Sequence, residues 1–292
     1  MALLLALMRA ASSMAYRAKR PQGAMRLMLA ALVAILTLGG AVAYAETLDQ
    51  RIAQLEPHWT LTRPEGAGPF PVLFMLHGCG GQRPFLEAMR RVAMEAGAAV
   101  VDIDSYGHRR ISQMGAYTTV CTGARLQGRE RAGDLYAAMA WARRQAWADD
   151  ARFAAIGWSH GSWTILDALS LRSGAEMARA TGLDDLPEEP LAGLSATLLV
   201  YPYTGLGSFV GRRPWRMAPA STAIVAQDDY IVGDARGALG RQRGRAAPLD
   251  IVVFDNATHA FEDAQARDFR VRYNPAATAR EHEMLRAMIE AL

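Results

Sequence analysis

Three residue types that together can cleave an acyl bond occur in a defined order in this chain. Ser159 lies in the sequence GWSHG between Gly157 and Gly161, which is the G-x-S-x-G pattern. An apolar run precedes the pattern and a segment of helical periodicity follows it. This context predicts a sharp strand-to-helix turn that exposes a serine hydroxyl. A serine hydroxyl needs a base to become a nucleophile, so the pattern requires partners elsewhere in the chain.

Of the six histidines, only two follow the serine as late as the Ser–acid–His order of such hydrolases requires. His282 lies inside a predicted terminal helix, on a face that we expect to be solvated. His259 lies in a loop directly after an apolar strand-like run, where a base can reach the edge of a sheet. We therefore predict that His259 is the base.

Two adjacent carboxylates, Asp228 and Asp229, follow the strand-like segment 221–226. One of them would accept a hydrogen bond from Nδ1 of His259, fix its tautomer and stabilise the imidazolium. We favour Asp229 because its spacing to Val232 is typical of this loop. Asp228 is the alternative at this stage.

An oxyanion hole is predicted in the sequence LHGCGGQ, residues 76–82, which directly follows an apolar run. Glycines let backbone amides turn towards a developing negative charge. The predicted donors are the amides of Cys79 and of His160, the residue after the serine. Two other interpretations of this segment are a plain glycine turn and a reactive thiol or redox centre at Cys79.

The elements needed to position these residues are also visible in the sequence. Apolar runs at 71–76, 98–104, 152–158, 196–203, 221–226 and 249–254 alternate with segments of helical spacing. This alternation predicts an α/β fold, with a mostly parallel central sheet and helices on both faces. A long loop from Ser105 onward is typical of a functional site, and the polar insertion 172–193 is either a small lid or a surface excursion.

Composition limits the function classes. The chain is 51% hydrophobic and 21% charged with a net charge of +3, which is an ordinary globular balance. It has no basic stripe with interleaved aromatic residues, so we expect no nucleic-acid partner. No cluster of metal-ligating residues is apparent, and we expect neither a metal nor an organic cofactor.

Residues 1–45 are predicted to be an N-terminal extension with a signal peptide, and residues 46–292 the catalytic domain. A basic stretch, a short apolar run and the small residues Ala43 and Ala45 favour cleavage after Ala45. Translation from Met25 would leave a compact signal peptide, and a permanent membrane anchor is the alternative. We expect a periplasmic or secreted protein that contacts the membrane only through an uncleaved signal segment. Export would allow Cys79 and Cys121 to pair, although two free thiols remain possible from composition.

Four motifs resemble the dienelactone hydrolase family of α/β-hydrolases: HGCGG at 77–81, DSYGHRR at 104–110, GWSHG at 157–161 and ATHAF at 257–261. The resemblance implies the α/β-hydrolase fold over nearly the whole of residues 46–292. It also favours a disulfide between Cys79 and Cys121, because exported members often carry both cysteines. Arg109 matches the arginine of the family in this loop, which implies contact with a substrate carboxylate; a surface ion pair is the alternative.

The chain departs from the family in one residue that bears on chemistry. The enzyme that named the family has a cysteine where this chain has Ser159. We therefore expect a serine hydrolase that cleaves carboxylic esters or lactones through Ser159, Asp229 and His259 and an acyl-enzyme. The alternatives are a serine peptidase with the same triad and a non-catalytic envelope protein that binds a ligand on a hydrolase fold.

Overall fold

A seven-stranded sheet organises the part of the chain that the computed structural model describes, residues 46–245 and 247–292. The strands are β1 (Thr60–Thr62), β2 (Phe70–Leu76), β3 (Ala99–Ile103), β4 (Ala148–Trp158), β5 (Leu194–Val200), β6 (Ala220–Ala226) and β7 (Leu249–Phe254). Their order across the sheet is β1-β3-β2-β4-β5-β6-β7. Strand β1 runs antiparallel to β3, and the other neighbouring pairs are parallel. The predicted mostly parallel sheet is confirmed.

Helices cover both faces of this sheet. They are α1 (Leu48–Leu55), α2 (Phe85–Glu95), α3 (Gln113–Gly115), α4 (Gly128–Ala142), α5 (His160–Ser170), α6 (Ala175–Thr181), α7 (Arg236–Arg243) and α8 (Pro275–Glu290). Helices α4, α5 and α7 pack in one apolar cluster, and α2 and α8 pack in the cluster on the opposite face. Helix α1 packs on the outer side of α4. This is the layered arrangement that strand–helix alternation predicts.

The continuous apolar runs of the sequence are explained by this double cover. In β2, Phe74 and Leu76 enter the cluster of α4 and α5, whereas Leu73 and Met75 enter the cluster of α2 and α8. Successive side chains of a strand point to opposite faces, so a strand covered on both sides must be apolar at every position. Strand β4 follows the same rule, and its last residue, Trp158, faces α8.

The final helix begins as the sequence predicts. The side chain of Asn274 accepts a hydrogen bond from the amide of Ala277 at 3.1 Å, and Pro275 occupies the first turn. Strand β1 was not predicted, because it has only three residues and its side chains are mostly exposed. The predicted signal segment lies outside the described residues. Within the described residues, no helix is both long enough and apolar enough to cross a membrane.

The turn between β4 and α5 is packed so tightly that it requires glycine on both sides of Ser159. A Cβ atom on Gly161 would lie 1.9 Å from the carbonyl oxygen of Leu76, at the end of β2. A Cβ atom on Gly157 would lie 2.4 Å from the carbonyl carbon of Gly161. Glycine is required at both positions because any side chain would collide with neighbouring backbone. The absence of a side chain lets the turn pack directly against the chain that leaves β2.

The first prediction compares two glycine substitutions. Gly161→Ala should destabilise the protein by at least ~3 kcal/mol, because the added methyl group collides with backbone that cannot move independently. Gly240→Ala is the matched control, since a Cβ atom there meets no atom within 4 Å. It should leave stability unchanged or raise it by about 0.5–1 kcal/mol. Urea unfolding of both purified variants measures the difference, and equal stabilities would contradict the steric argument.

Candidate active site

A cavity of about 820 Å³ opens at the edge of the sheet where the parallel strands end. Ser159, which follows β4, and His259, which follows β7, both line it. The oxyanion-loop residue Cys79 and the post-serine residue His160 line it as well. Ligands of open α/β sheets bind outside the carboxyl ends of the strands, and this cavity lies at that place.

Ser159 occupies a strained backbone conformation, with φ of +52° and ψ of −106°. Its amide donates a hydrogen bond to the carbonyl of Val200 at 2.9 Å, and its carbonyl accepts one from the amide of Trp163 at 3.0 Å. A non-glycine residue with positive φ costs about 1–3 kcal/mol, so the surrounding packing must hold it in place. The strained turn is the arrangement predicted from the sequence around Ser159.

The structure brings Asp229 to His259. Oδ2 of Asp229 lies 2.7 Å from Nδ1 of His259, and both side chains are nearly buried. The other oxygen, Oδ1, accepts hydrogen bonds from the amides of Ile231 at 2.9 Å and Val232 at 3.0 Å. The carboxylate is thus fixed by two backbone donors while it orients the imidazole, leaving Nε2 as the free ring nitrogen of His259.

Asp228, the alternative acid, makes a different contact. Its Oδ2 lies 3.2 Å from the guanidinium of Arg272, and both side chains are partly exposed to solvent. Its amide donates to the carbonyl of Ala257 at 2.9 Å, so the residue helps to fix the loop of the histidine. Of the two adjacent carboxylates, only Asp229 contacts His259 in the described residues.

The loop that contains Cys79 is braced from several directions. The hydroxyl of Tyr106 donates to the carbonyl of Cys79 at 3.0 Å, and the amide of Gly81 donates to the carbonyl of Gly78 at 3.1 Å. The buried guanidinium of Arg131 donates to the carbonyl of His77 at 2.7 Å. With the carbonyls of His77, Gly78 and Cys79 engaged, the loop holds its amides in fixed directions, as a hole for an oxyanion requires.

The imidazole of His160 is not placed to act as a base. It is buried, its Nδ1 lies 3.4 Å from the guanidinium of Arg131, and its ring packs on Trp163 at 4.9 Å. Burial and the positive charge of Arg131 hold the pKa of His160 well below its ordinary value, so the ring is neutral. The backbone amide of His160 is the part that the sequence analysis assigns to oxyanion binding.

Cys79 and Cys121 form a disulfide. They are the two cysteines of the chain, so Cys79 does not carry the free thiol that one interpretation of its loop required. The bond ties the loop 77–81 to the segment 113–123, whose side chains Tyr117 and Val120 form one wall of the cavity. The long loop after β3 is therefore part of the site, as its length predicts.

Arg109 makes an ion pair, which the sequence analysis kept as the alternative to a substrate contact. Its guanidinium forms a two-pronged ion pair with the fully buried Asp134, at 2.8 Å for each contact, and donates to the carbonyl of Ser105 at 2.7 Å. It does not line the cavity. Burial raises the pKa of Asp134, but Arg109 and Arg51 outweigh it and lower that pKa below the ordinary value. The donors of Arg109 hold the fold together and do not face a substrate carboxylate.

Two further parts of the cavity wall lie outside the catalytic residues predicted from the sequence. The segment 265–271, which follows His259, closes one side. The rings of Trp163 and Tyr203, with centroids 4.9 Å apart and planes tilted by 46°, form part of another. The polar insertion 172–193 contributes no lining residue, so it is a surface excursion and not a lid of this cavity. Hydrophobic periodicity does not mark a segment such as 265–271, because it forms no regular helix or strand.

The described residues contain no group of three or more His, Cys, Asp or Glu side chains arranged to hold a metal ion.

The architecture of the described chain defines the α/β-hydrolase fold. Solved structures of this fold include a dienelactone hydrolase-like promiscuous phosphotriesterase from metagenomic libraries, at 18% identity and a TM-score of 0.56 over 80% of this chain and 92% of the other. A dienelactone hydrolase from Anabaena variabilis is 17% identical, with a TM-score of 0.52 over 80% of this chain and 90% of the other. A thermophilic esterase from Thermogutta terrifontis is 14% identical, with a TM-score of 0.53 over 80% of this chain and 88% of the other. No protein-family model and no curated protein matches the chain.

The second prediction concerns Arg109. Arg109→Ala should destabilise the protein by about 3 kcal/mol, because the buried carboxylate of Asp134 loses a two-pronged partner. The KM ratio between anionic and neutral esters should stay the same, since the guanidinium does not reach the cavity. Denaturant unfolding and steady-state kinetics measure the two effects. A selective rise in KM for anionic esters would restore the substrate-binding interpretation.

Proposed function

We propose that this protein is a serine hydrolase that cleaves carboxylic esters or lactones. The observation that carries the proposal is the 2.7 Å contact between Asp229 and His259 in the same cavity that Ser159 lines from a strained turn. An acid that fixes a histidine in the cavity that a serine also lines is the arrangement that acyl transfer requires. The similar solved structures, whose descriptions name dienelactone hydrolases and esterases, support the same reaction class.

The proposed reaction has two halves. Nε2 of His259 takes the proton of the Ser159 hydroxyl as its oxygen attacks the substrate carbonyl. Asp229 stabilises the imidazolium that forms. The amides of Cys79 and His160 donate to the oxygen that becomes negative. As the tetrahedral intermediate collapses, the imidazolium of His259 gives its proton to the leaving oxygen, which departs as the alcohol and leaves His259 neutral. A water molecule, deprotonated by His259, then releases the acid from the acyl-enzyme and regenerates Ser159.

A periplasmic or secreted location is part of the proposal. The signal-like sequence of residues 1–45 is one support, and the disulfide between Cys79 and Cys121 is an independent one. Disulfides persist in oxidising compartments and are rare in the reducing cytosol. Detection of a mature chain that begins at Glu46 in a periplasmic or culture fraction tests this location.

The third prediction tests the nucleophile. Ser159→Ala should reduce kcat for a short-chain ester by at least about 10⁴-fold while the fold is kept, because the attacking oxygen is absent. Covalent labelling by a fluorophosphonate should disappear in the same variant and in His259→Ala. Circular dichroism and thermal unfolding serve as controls for folding. Near-normal turnover by Ser159→Ala would rule out the proposed function.

The fourth prediction uses the adjacent carboxylates as a matched pair. Asp229→Asn should lower kcat by about 10³–10⁴-fold, since the amide does not favour the required histidine tautomer. Asp228→Asn removes the same charge one residue earlier but leaves the contact with His259 intact. Its kcat should stay within a few-fold of the parent enzyme. A larger loss for Asp228→Asn than for Asp229→Asn would reverse the assignment of the acid.

A further inference from the structure

A fully buried carboxylate lies behind the wall of the cavity. Asp167 is on α5, the helix that follows Ser159, and its side chain has no exposed surface. Its hydrogen-bond partners are two neutral N–H groups, and it forms no ion pair among the described residues. A buried carboxylate without a cation is costly, and burial raises the pKa of Asp167 to about 7. Both of its hydrogen bonds are made to segments that line or adjoin the cavity.

The carboxylate joins two elements of the cavity wall. Its Oδ2 accepts a hydrogen bond from the indole Nε1 of Trp163 at 2.7 Å, one turn earlier on α5. Its Oδ1 accepts a hydrogen bond from the amide of Phe209 at 2.8 Å, in the loop that follows β5. Hydrogen bonds to a charged acceptor are about twice as strong as neutral ones. The indole and the loop are therefore both fixed to α5.

The indole of Trp163 packs directly against two other segments of main chain. A Cβ atom on Gly128, the first residue of α4, would lie 2.5 Å from Cδ1 of the five-membered ring. A Cβ atom on Gly207, in the loop after β5, would lie 3.4 Å from Cζ2 of the six-membered ring. No side chain separates the indole from either segment. Close-packed groups of this kind have little freedom to move, so the ring is a rigid part of the wall.

This rigid wall lies beside the proposed nucleophile. The amide of Trp163 donates to the carbonyl of Ser159 at 3.0 Å. The amide of Tyr203 donates to the same carbonyl at 3.3 Å, and the rings of Trp163 and Tyr203 lie 4.9 Å apart. Both residues line the cavity. A substrate group that extends from Ser159 towards this wall meets aromatic side chains that cannot yield.

We propose that Trp163 is a specificity-determining residue, whose indole closes this wall and restricts the substrates to esters with a short chain on that side of Ser159. Asp167 is a positioning residue, because it acts by holding the indole in place. This inference rests on the proposed function, since it concerns the substrate of the same cavity. One methylene group in a closed apolar pocket changes kcat/KM by about 10–200-fold, so a change in the wall has a measurable effect.

The first test removes the indole and uses two series of esters. One series varies the acyl group (hexanoyl against acetyl esters of p-nitrophenol), and the other varies the alcohol (hexyl against ethyl acetate). Trp163→Ala should raise the kcat/KM ratio of the long over the short ester at least about tenfold in one series, and that series identifies the group that meets the wall. Trp163→Leu is a second variant that keeps more apolar volume, and it should shift the ratio in the same direction.

Trp141→Ala is the matched control for loss of an indole. Trp141 is on α4, packs on Trp59 with ring centroids 5.2 Å apart and does not line the cavity. Both ratios of this variant should stay within twofold of the parent enzyme. Folded Trp163 variants with unchanged ratios in both series would overturn the proposal.

The second test separates positioning from simple stability. Asp167→Asn keeps the shape of the side chain but turns an N–H towards one of the two donors, so the indole is held less firmly. At pH 8.5, where the parent carboxylate is ionised, the ratio that responds to Trp163→Ala should rise at least about threefold. Added to Trp163→Ala, the same substitution should change the ratio no further, because Asp167 acts through the indole. A lower Tm with an unchanged ratio would show that the role of Asp167 is structural only and would overturn this part of the proposal.

Ligand binding without turnover distinguishes this inference from the proposed function. In the Ser159→Ala background, isothermal titration calorimetry measures the affinities of the same esters. Trp163→Ala should shift the preference towards the longer ester at least about tenfold relative to that background. An unchanged preference would overturn the role of Trp163 even in an active enzyme. A shifted preference in a protein that hydrolyses no ester would support the role of the wall and reject only the proposed function.

Discussion

The contact between Gly161 and the carbonyl of Leu76 is the constraint on which the site depends. It fixes how closely the turn after β4 approaches the chain leaving β2, and no side chain fits between them. The two backbone segments that we propose as the oxyanion hole, at Cys79 and His160, line the same cavity. A looser turn would relax the backbone of Ser159 and separate those segments. The strain at Ser159 is thus sustained by packing of main chain against main chain.

The electrostatic surroundings of the site differ on its two sides. On the side of α4, the buried arginines Arg51 and Arg131 and the half-buried Arg109 surround Asp134 and the carbonyl of His77. On the side of α8, the buried glutamates Glu262 and Glu281 have no ion-pair partner among the described residues. The serine and the oxyanion loop adjoin the cationic side, and the histidine adjoins the acidic side. Negative charge at the substrate oxygen and positive charge at the imidazole would each meet a favourable surrounding.

Much of the fold was accessible from the sequence because buried parallel strands leave a strong apolar pattern. The run 249–254 coincides with β7, and the serine, acid and histidine appear in an order that few folds share. The role of Arg109 stayed open in the sequence, because a motif does not show that a buried carboxylate 25 residues later, Asp134, accepts both prongs of the guanidinium. The hydrogen bond between the hydroxyl of Tyr201 and Glu262 spans 61 residues and has no local signature.

The bond between Cys79 and Cys121 also has a topological consequence. It closes a covalent ring over a separation of 42 residues that contains α2, β3 and one wall of the cavity. Ser159, Asp229 and His259 lie outside that ring. A single break of the main chain within the ring, for example beside the exposed Met114, leaves one covalently connected molecule. A break of the main chain between Ser159 and His259 lies outside the ring, so it divides the molecule into two separate chains.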